Sequence, residues 1–344
     1  MGQDCSTNSC GIKSGLVLDD SNKPVSYNAG EAVHTEIEKE SSANRALSQR
    51  AGVGGLLSQT YFDQDVDELL SLPARPENGK EERPTYRFRN GSTYTGQWLG
   101  NQRHGLGVQR WSDGAVYQGS WLRNRAEGKG RFVHTDGDIF CGEWHNNVAH
   151  GIGTYIHHTG EAQVTYYYGQ WENDLQHGFG VEIWEEGCRY EGEFKAGQKY
   201  GNGVYKWADG STYCGSWRGN CINGPGIYVG ADKREFKGQW KGSMIHGMGV
   251  YSWPDGRVYS GQYENDRKAG FGHFFWPDQR RYEGYWLNGK QHGQGRYHHM
   301  DGTSVLALWE QGKRVEWLED ASYPESPVNA TGVTYQGKKN FAVS

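Results

Sequence analysis

Residues 94–116, YTGQWLGNQRHGLGVQRWSDGAV, are the first of nine units written to one pattern. The pattern opens on an aromatic at Tyr94, Tyr117, Phe140, Tyr167, Tyr190, Tyr213, Phe236, Tyr259 and Tyr282. Successive openings are 23 residues apart, except for a step of 27 between Phe140 and Tyr167 that places a four-residue insertion in a loop near Thr159–Tyr166. Counted from the opening ring, a glycine recurs at offset 2, an aromatic at offset 4 and a Gly-x-Gly pair at offsets 11 and 13, as in Gly105 and Gly107. Self-similarity at a fixed period is the mark of a repeat architecture.

Ring, glycine and ring at offsets 0, 2 and 4 share a face only in extended chain, where side chains alternate with period two. The opening segment is therefore a strand. A second strand is expected at about offsets 13 to 18, ending near Trp111, Trp184, Trp207, Trp253 and Trp276 at offset 17. Asp-Gly at offsets 19 and 20, as in Asp113-Gly114 and Asp255-Gly256, is a strong hairpin signal. Each glycine at offset 2 leaves room for a ring from a neighbouring strand to lie over the backbone. The expected fold is all-β: an elongated single-layer antiparallel meander of tandem β-hairpins, about 85 Å long at roughly 4.8 Å per strand.

These residues resemble the MORN (membrane occupation and recognition nexus) repeat family, whose motif is close to Tyr-x-Gly-x-Trp followed by His-Gly-x-Gly. His104, His150, His177, His246 and His292 fill its histidine position, while Glu127, Tyr200, Asn223 and Ala269 depart from it. A degenerate tenth opening at Val305, with Ala307 and Trp309, caps one end, and Tyr86–Gly91 caps the other, as such arrays require. The array then spans 86–317, between an N-terminal region of 1–85 and a polar tail of 318–344. The resemblance implies a non-enzymatic scaffold that organises membrane and cytoskeletal or signalling partners, in some members as a homodimer. Regulation of a lipid kinase in trans is an alternative of the same origin.

Composition narrows the functional classes. The chain has 52 Gly, 14 Trp and 22 Tyr among 344 residues. Large amphipathic rings, rather than aliphatic side chains, must build its core. A net charge of -5 argues against nucleic acid, which demands a basic surface. No apolar run is long enough to span a bilayer, and the N-terminus lacks a secretory h-region, so a cytosolic setting with reduced thiols is expected. No metal or cofactor is called for: the histidines occupy one slot in successive units, about 10 Å apart, too far to share an ion. Gly-x-Gly here lacks the strand-loop-helix setting of a phosphate loop.

Met1-Gly2-Gln3-Asp4-Cys5-Ser6 fits the myristoylation pattern, with Gly2 as acceptor. One acyl chain binds membranes only marginally, and Cys5 and Cys10 lie where palmitate supplies a second. The expected location is therefore the cytoplasmic face of a membrane, peripheral and lipid-anchored. Residues 11–85 read as a largely disordered tether. Within it, Phe62, Val66, Leu69 and Leu70 mark one face of a short helix over 61–72, able to dock on a partner or on the array itself. Arg234, Arg257 and Arg280 share offset 21 in consecutive units, near Lys233, Lys237 and Arg281. Such a column suits anionic lipid headgroups or an acidic partner, although Glu235 and Asp278 interrupt it.

Overall fold

A repeat begins with a strand from offset −1 to 5, as in Thr93–Leu99, and continues through a second strand from offset 8 to 16, as in Gln102–Arg110, with longer strands only on either side of the insertion. The computed structural model describes residues 61–158 and 164–319, with two further two-residue strands at Val17–Leu18 and Pro24–Val25. Two compact units result, one through Tyr228 with Gln239–Ile245, the other Val229–Gly238 with His246 onward. In the first unit, neighbour pairs with neighbour antiparallel from Glu81–Arg87 to Thr212–Arg218. In the second, neighbour again pairs with neighbour antiparallel from Val258–Glu264 to Lys313–Trp317.

The register explains the glycines. Gly96 faces Gly107, which faces Gly119, which faces Gly130, so offsets 2 and 13 form a row across the strands. The opening tyrosine lies over that row: a Cβ on Gly130 would stand 2.6 Å from Cε2 of Tyr117. The Tyr117 hydroxyl then donates to the Ser120 carbonyl at 2.9 Å, a bond repeated at Tyr94, Tyr167, Tyr190, Tyr213, Tyr259 and Tyr282. The offset-4 tryptophan closes the step by donating Nε1–H to the offset-13 carbonyl of the preceding repeat, as Trp144 does to Gly130 at 3.1 Å. The other glycine of the pair serves a different need: Gly128 has φ +78°, a conformation that a side chain disfavours.

Three expectations need correction. The second strand starts some five residues earlier than its rings suggest, and Trp111 lies just past its end. The tight two-residue turn sits at offsets 6 and 7, where Arg123-Asn124, Asn146-Asn147 and Asn173-Asp174 all adopt positive φ, as a primed turn between twisted strands requires. The Asp-Gly site also reverses the chain, but as a wider loop in which Trp111 N–H reaches Ala115 O and only the glycine has positive φ. Its aspartate caps the loop: Asp113 Oδ1 accepts Ala115 N–H at 3.0 Å. The insertion also leaves less loop than expected, because strands Val148–His158 and Val164–Glu172 keep pairing as far as Val164 with His158.

Both caps form. Glu81–Arg87 pairs with the first repeat strand, and Ser304–Glu310 with the last, where Trp309 Nε1–H donates to Gly295 O at 3.2 Å.

Candidate functional site

The rings at offsets 0, 4, 15 and 17 all face one side of the sheet, and neighbouring repeats assemble them into cages. Between repeats 1 and 3, Trp111, Tyr117, Trp121, Phe132 and Trp144 form such a cage. Its occupant comes from outside the array: the ring of Phe62 lies 5.1–5.9 Å from all five, and Phe62 is wholly buried. Mostly edge-on geometry lets each ring's positive rim meet a neighbour's negative face.

Polar contacts fix the rest of the segment. Trp111 Nε1–H donates to Tyr61 O at 2.9 Å, and Arg103 Nη2 donates to Phe62 O at 3.0 Å. Gln109 Nε2 donates to Asp65 Oδ2 at 2.7 Å, and Asn90 also donates to Asp65. A one-and-a-half-turn helix, α1 (Val66–Leu70), follows. Its Glu68 accepts the Tyr86 hydroxyl at 3.0 Å and Arg89 N–H at 2.9 Å. Burial pulls the Arg103 guanidinium down to about 10, opposed by the Asp65 charge, and burial raises the Asp65 carboxyl. Arg103 stays anchored because its guanidinium also lies 4.5 Å from the Trp121 ring centroid.

The expected helix thus docks on the array itself. Its face differs from the periodicity: Phe62 and Leu69 are buried, but Leu70 is 69 % exposed. A turn at Gln64-Asp65 separates the helical turn at 61–63 from α1 and resets the phase, so Asp65 takes the inward place instead.

Offset 9 decides why the cage at repeat 2 has room. There the residue is Ala126, cross-strand from Trp121 and fully buried. Repeat 8 has Lys268, whose Nζ lies 5.3, 5.2, 4.7 and 5.0 Å from Trp253, Tyr259, Phe274 and Trp286. Those four positions are the equivalents of Trp111, Tyr117, Phe132 and Trp144 around Phe62. Repeat 5 does the same with Lys199, over Trp184 and Tyr190 and paired to Glu182 at 3.0 Å. Repeats 6 and 7 place Ile222 and Ile245 there, both buried. The lysines at offset 9 fill their own cages, whereas at repeat 2, where alanine stands, the ring comes from another segment.

The remaining candidates fall elsewhere. Arg234, Arg257 and Arg280 each have their Nε bonded to the loop aspartate two residues back, Asp232, Asp255 or Asp278. Arg257 and Arg280 also lie over Trp253 and Trp276. Lys237 pairs with Glu235 at 2.8 Å, Arg281 contacts His298 Nδ1 at 3.4 Å, and Lys233 sits in a turn at φ +68°. Gly2, Cys5 and Cys10 lie outside the described residues, as does the tail beyond 319. Among the described residues, no His/Cys/Asp/Glu group is placed to hold a metal, and Cys141, Cys188, Cys214 and Cys221 are thiols rather than disulfides.

The MORN repeat model matches nine segments, 94–116, 117–139, 140–161, 167–189, 190–212, 213–233, 236–256, 259–279 and 282–304, which together span more than half of the chain. No curated protein sequence matches it. Among solved structures, the TCP domain of Drosophila melanogaster SAS-4 (dCPAP), in complex with a proline-rich motif of Ana2, is 12% identical with a TM-score of 0.30, covering 56% of this chain and 97% of that one. The TCP10 domain of Danio rerio CPAP, as its E1021V mutant, is 12% identical at a TM-score of 0.23, covering 69% and 99%.

Proposed function

Because the chain belongs to the MORN repeat family, a non-catalytic repeat module that serves in binding, we propose that it is a membrane-tethered scaffold. In this reading acyl chains on Gly2 and on Cys5 or Cys10 hold the N-terminus at the cytoplasmic face of a membrane. The array then presents its aromatic face to cytoskeletal or signalling partners. The observation that carries the binding role is the Phe62 cage: the array's face accepts a chain segment from outside the repeats, with one buried ring and a set of directed hydrogen bonds. Such a buried aromatic anchor ringed by polar contacts is how peptide recognition obtains affinity.

The tether rests on the sequence at Met1–Ser6, supported by the need for two lipid signals and the two cysteines that supply the second. Among the described residues no helix is long and apolar enough to cross a membrane. The intact chain with a C-terminal tag is expected to pellet with membranes and to incorporate alkynyl myristate and palmitate. Gly2→Ala and the Cys5→Ser/Cys10→Ser pair are expected in the soluble fraction. Equal partitioning of all three would remove the tether from the reading. A direct anionic-lipid role for the arginine column is the second reading, separable because it needs no acylation.

A further inference from the structure

We propose that residues 61–70 are a resident pseudo-ligand, and that the cage over repeats 1–3 is a receptor for a partner protein's short acidic helix with the same anchors. The proposal rests on the binding-module reading of the array and names its site and partner class, but it does not depend on acylation.

Three observations lead there. The cage is built wholly from array residues, while its filler is supplied by a separate segment, whereas at repeats 5 and 8 the filler is a lysine of the repeat itself. An array whose repeat 2 has Ala126 at offset 9 is therefore incomplete without a guest ring. The connection between guest and array, residues 73–80, is exposed, and it touches the array where Asn101 Nδ2 donates to Pro73 O at 2.8 Å and where Arg75 and Glu77 pass over Gly100. Its prolines, Pro73 and Pro76, belong to no strand or helix of the fold. Finally, the contacts specify a ligand. Phe62, Asp65 and Glu68 recur every third residue, and each meets its own receptor: the five rings, then Asn90 and Gln109 with Arg103 nearby, then Tyr86 and Arg89 N–H.

Asn90, Gln109 and Tyr86 donate toward the guest's carboxylates, the guest's Tyr61 hydroxyl in turn donates to Asp113 Oδ2 at 2.5 Å, and Arg103 sits fully buried beneath the guest. A cationic and donor-rich floor under aromatic walls selects an aromatic followed at the third and sixth positions by carboxylates. Basic or purely apolar helices lose those bonds and the Asp65 charge that offsets the burial of Arg103, which is costly. Displacement requires the partner to outcompete a tethered guest, so the partner must be locally concentrated or present more than the resident's contacts.

The test uses the full chain and a fluorescently labelled peptide of residues 61–72 as probe, read by anisotropy. Phe62→Ala empties the cage in cis and is expected to bind the probe at least tenfold more tightly than wild type. Adding Ala126→Ile to that variant installs the side chain that repeats 6 and 7 already accommodate, and is expected to abolish binding while the melting transition persists. A probe with its own phenylalanine changed to alanine is expected not to bind. The proposal is overturned if Phe62→Ala shows no binding below about 1 mM, or if binding survives Ala126→Ile. It is equally overturned if wild type forms a concentration-dependent dimer by exchanging this segment, which would make the occupant a second copy. A failed titration leaves the membrane tether standing, and a failed fractionation leaves this site standing.

Discussion

Phe62→Ala removes the ring held inside the cage of five, and its consequence divides two accounts of the segment. Full burial of a phenylalanine contributes about 1.5–3 kcal/mol by area, and truncation in a packed site costs about 3–5 kcal/mol once the cavity is included. The loss here falls on docking rather than on folding, because the strands, turns and Tyr–Gly packing of each repeat form without Phe62. A loss of about 3 kcal/mol corresponds to roughly two decades in the docking equilibrium. Amide hydrogen exchange reads it directly. Ser71 N–H, bonded to Asp67 O, and Arg89 N–H, bonded to Glu68, are expected to exchange on the order of 100-fold faster. Strand amides of repeats 4 to 6 are expected to keep their protection. Unchanged protection at Ser71 would refute the cage as the anchor. Equal loss throughout the array would make the segment part of the fold and not a guest.

Other outcomes follow from the same packing. Gly130→Ala puts a methyl 2.6 Å from the Tyr117 ring and is expected to cost more than about 3 kcal/mol in thermal unfolding, whereas Gly114→Ala meets only open space and its φ of +102°, for about 1 kcal/mol. Tyr117→Phe loses only the bond to Ser120 O, about 1 kcal/mol, since Phe140 and Phe236 already hold that slot. Burial lowers the Lys268 amine to about 7 from an ordinary 10.5. The unfolded chain then binds the proton that the folded one sheds, so stability rises from pH 7 toward pH 10, and Lys268→Met is expected to flatten that rise in chemical denaturation. Changing Arg234, Arg257 and Arg280 to Glu is expected to leave binding to acidic liposomes within a few-fold, because each arginine already faces an aspartate; a tenfold drop would give that column the lipid-binding role.

What the sequence made legible was the part that repeats. Tyr94, Gly96 and Trp98 announce a strand face because every unit states it again, and the glycine pair announces itself even before its two separate reasons are known. The tight turn escaped because its residues vary, from Arg123-Asn124 to Ala196-Gly197, and share only a backbone conformation. Asp113-Gly114 drew attention away from it by a stronger local signal. The Phe62 cage was hidden for a different reason. It depends on an exception to the repeat, Ala126 where Lys199 and Lys268 stand elsewhere, matched to a ring 64 residues away in sequence. The run of small residues at offset 9, Ala126 followed by Ala149, was the one signal in the sequence that could have pointed to it. Leu70 was misplaced because a single helical period was carried through the turn at Asp65.

The seat of Phe62 is the premise on which the binding face, the pseudo-ligand and the role of Ala126 all stand. In the perdeuterated intact chain with only Phe, Tyr and Trp protonated, nuclear Overhauser contacts are expected from the Phe62 ring to Trp111, Tyr117, Trp121 and Trp144, whose centroids lie 5.1–5.6 Å away. Absence of those contacts, with random-coil shifts for residues 61–70, would contradict the account.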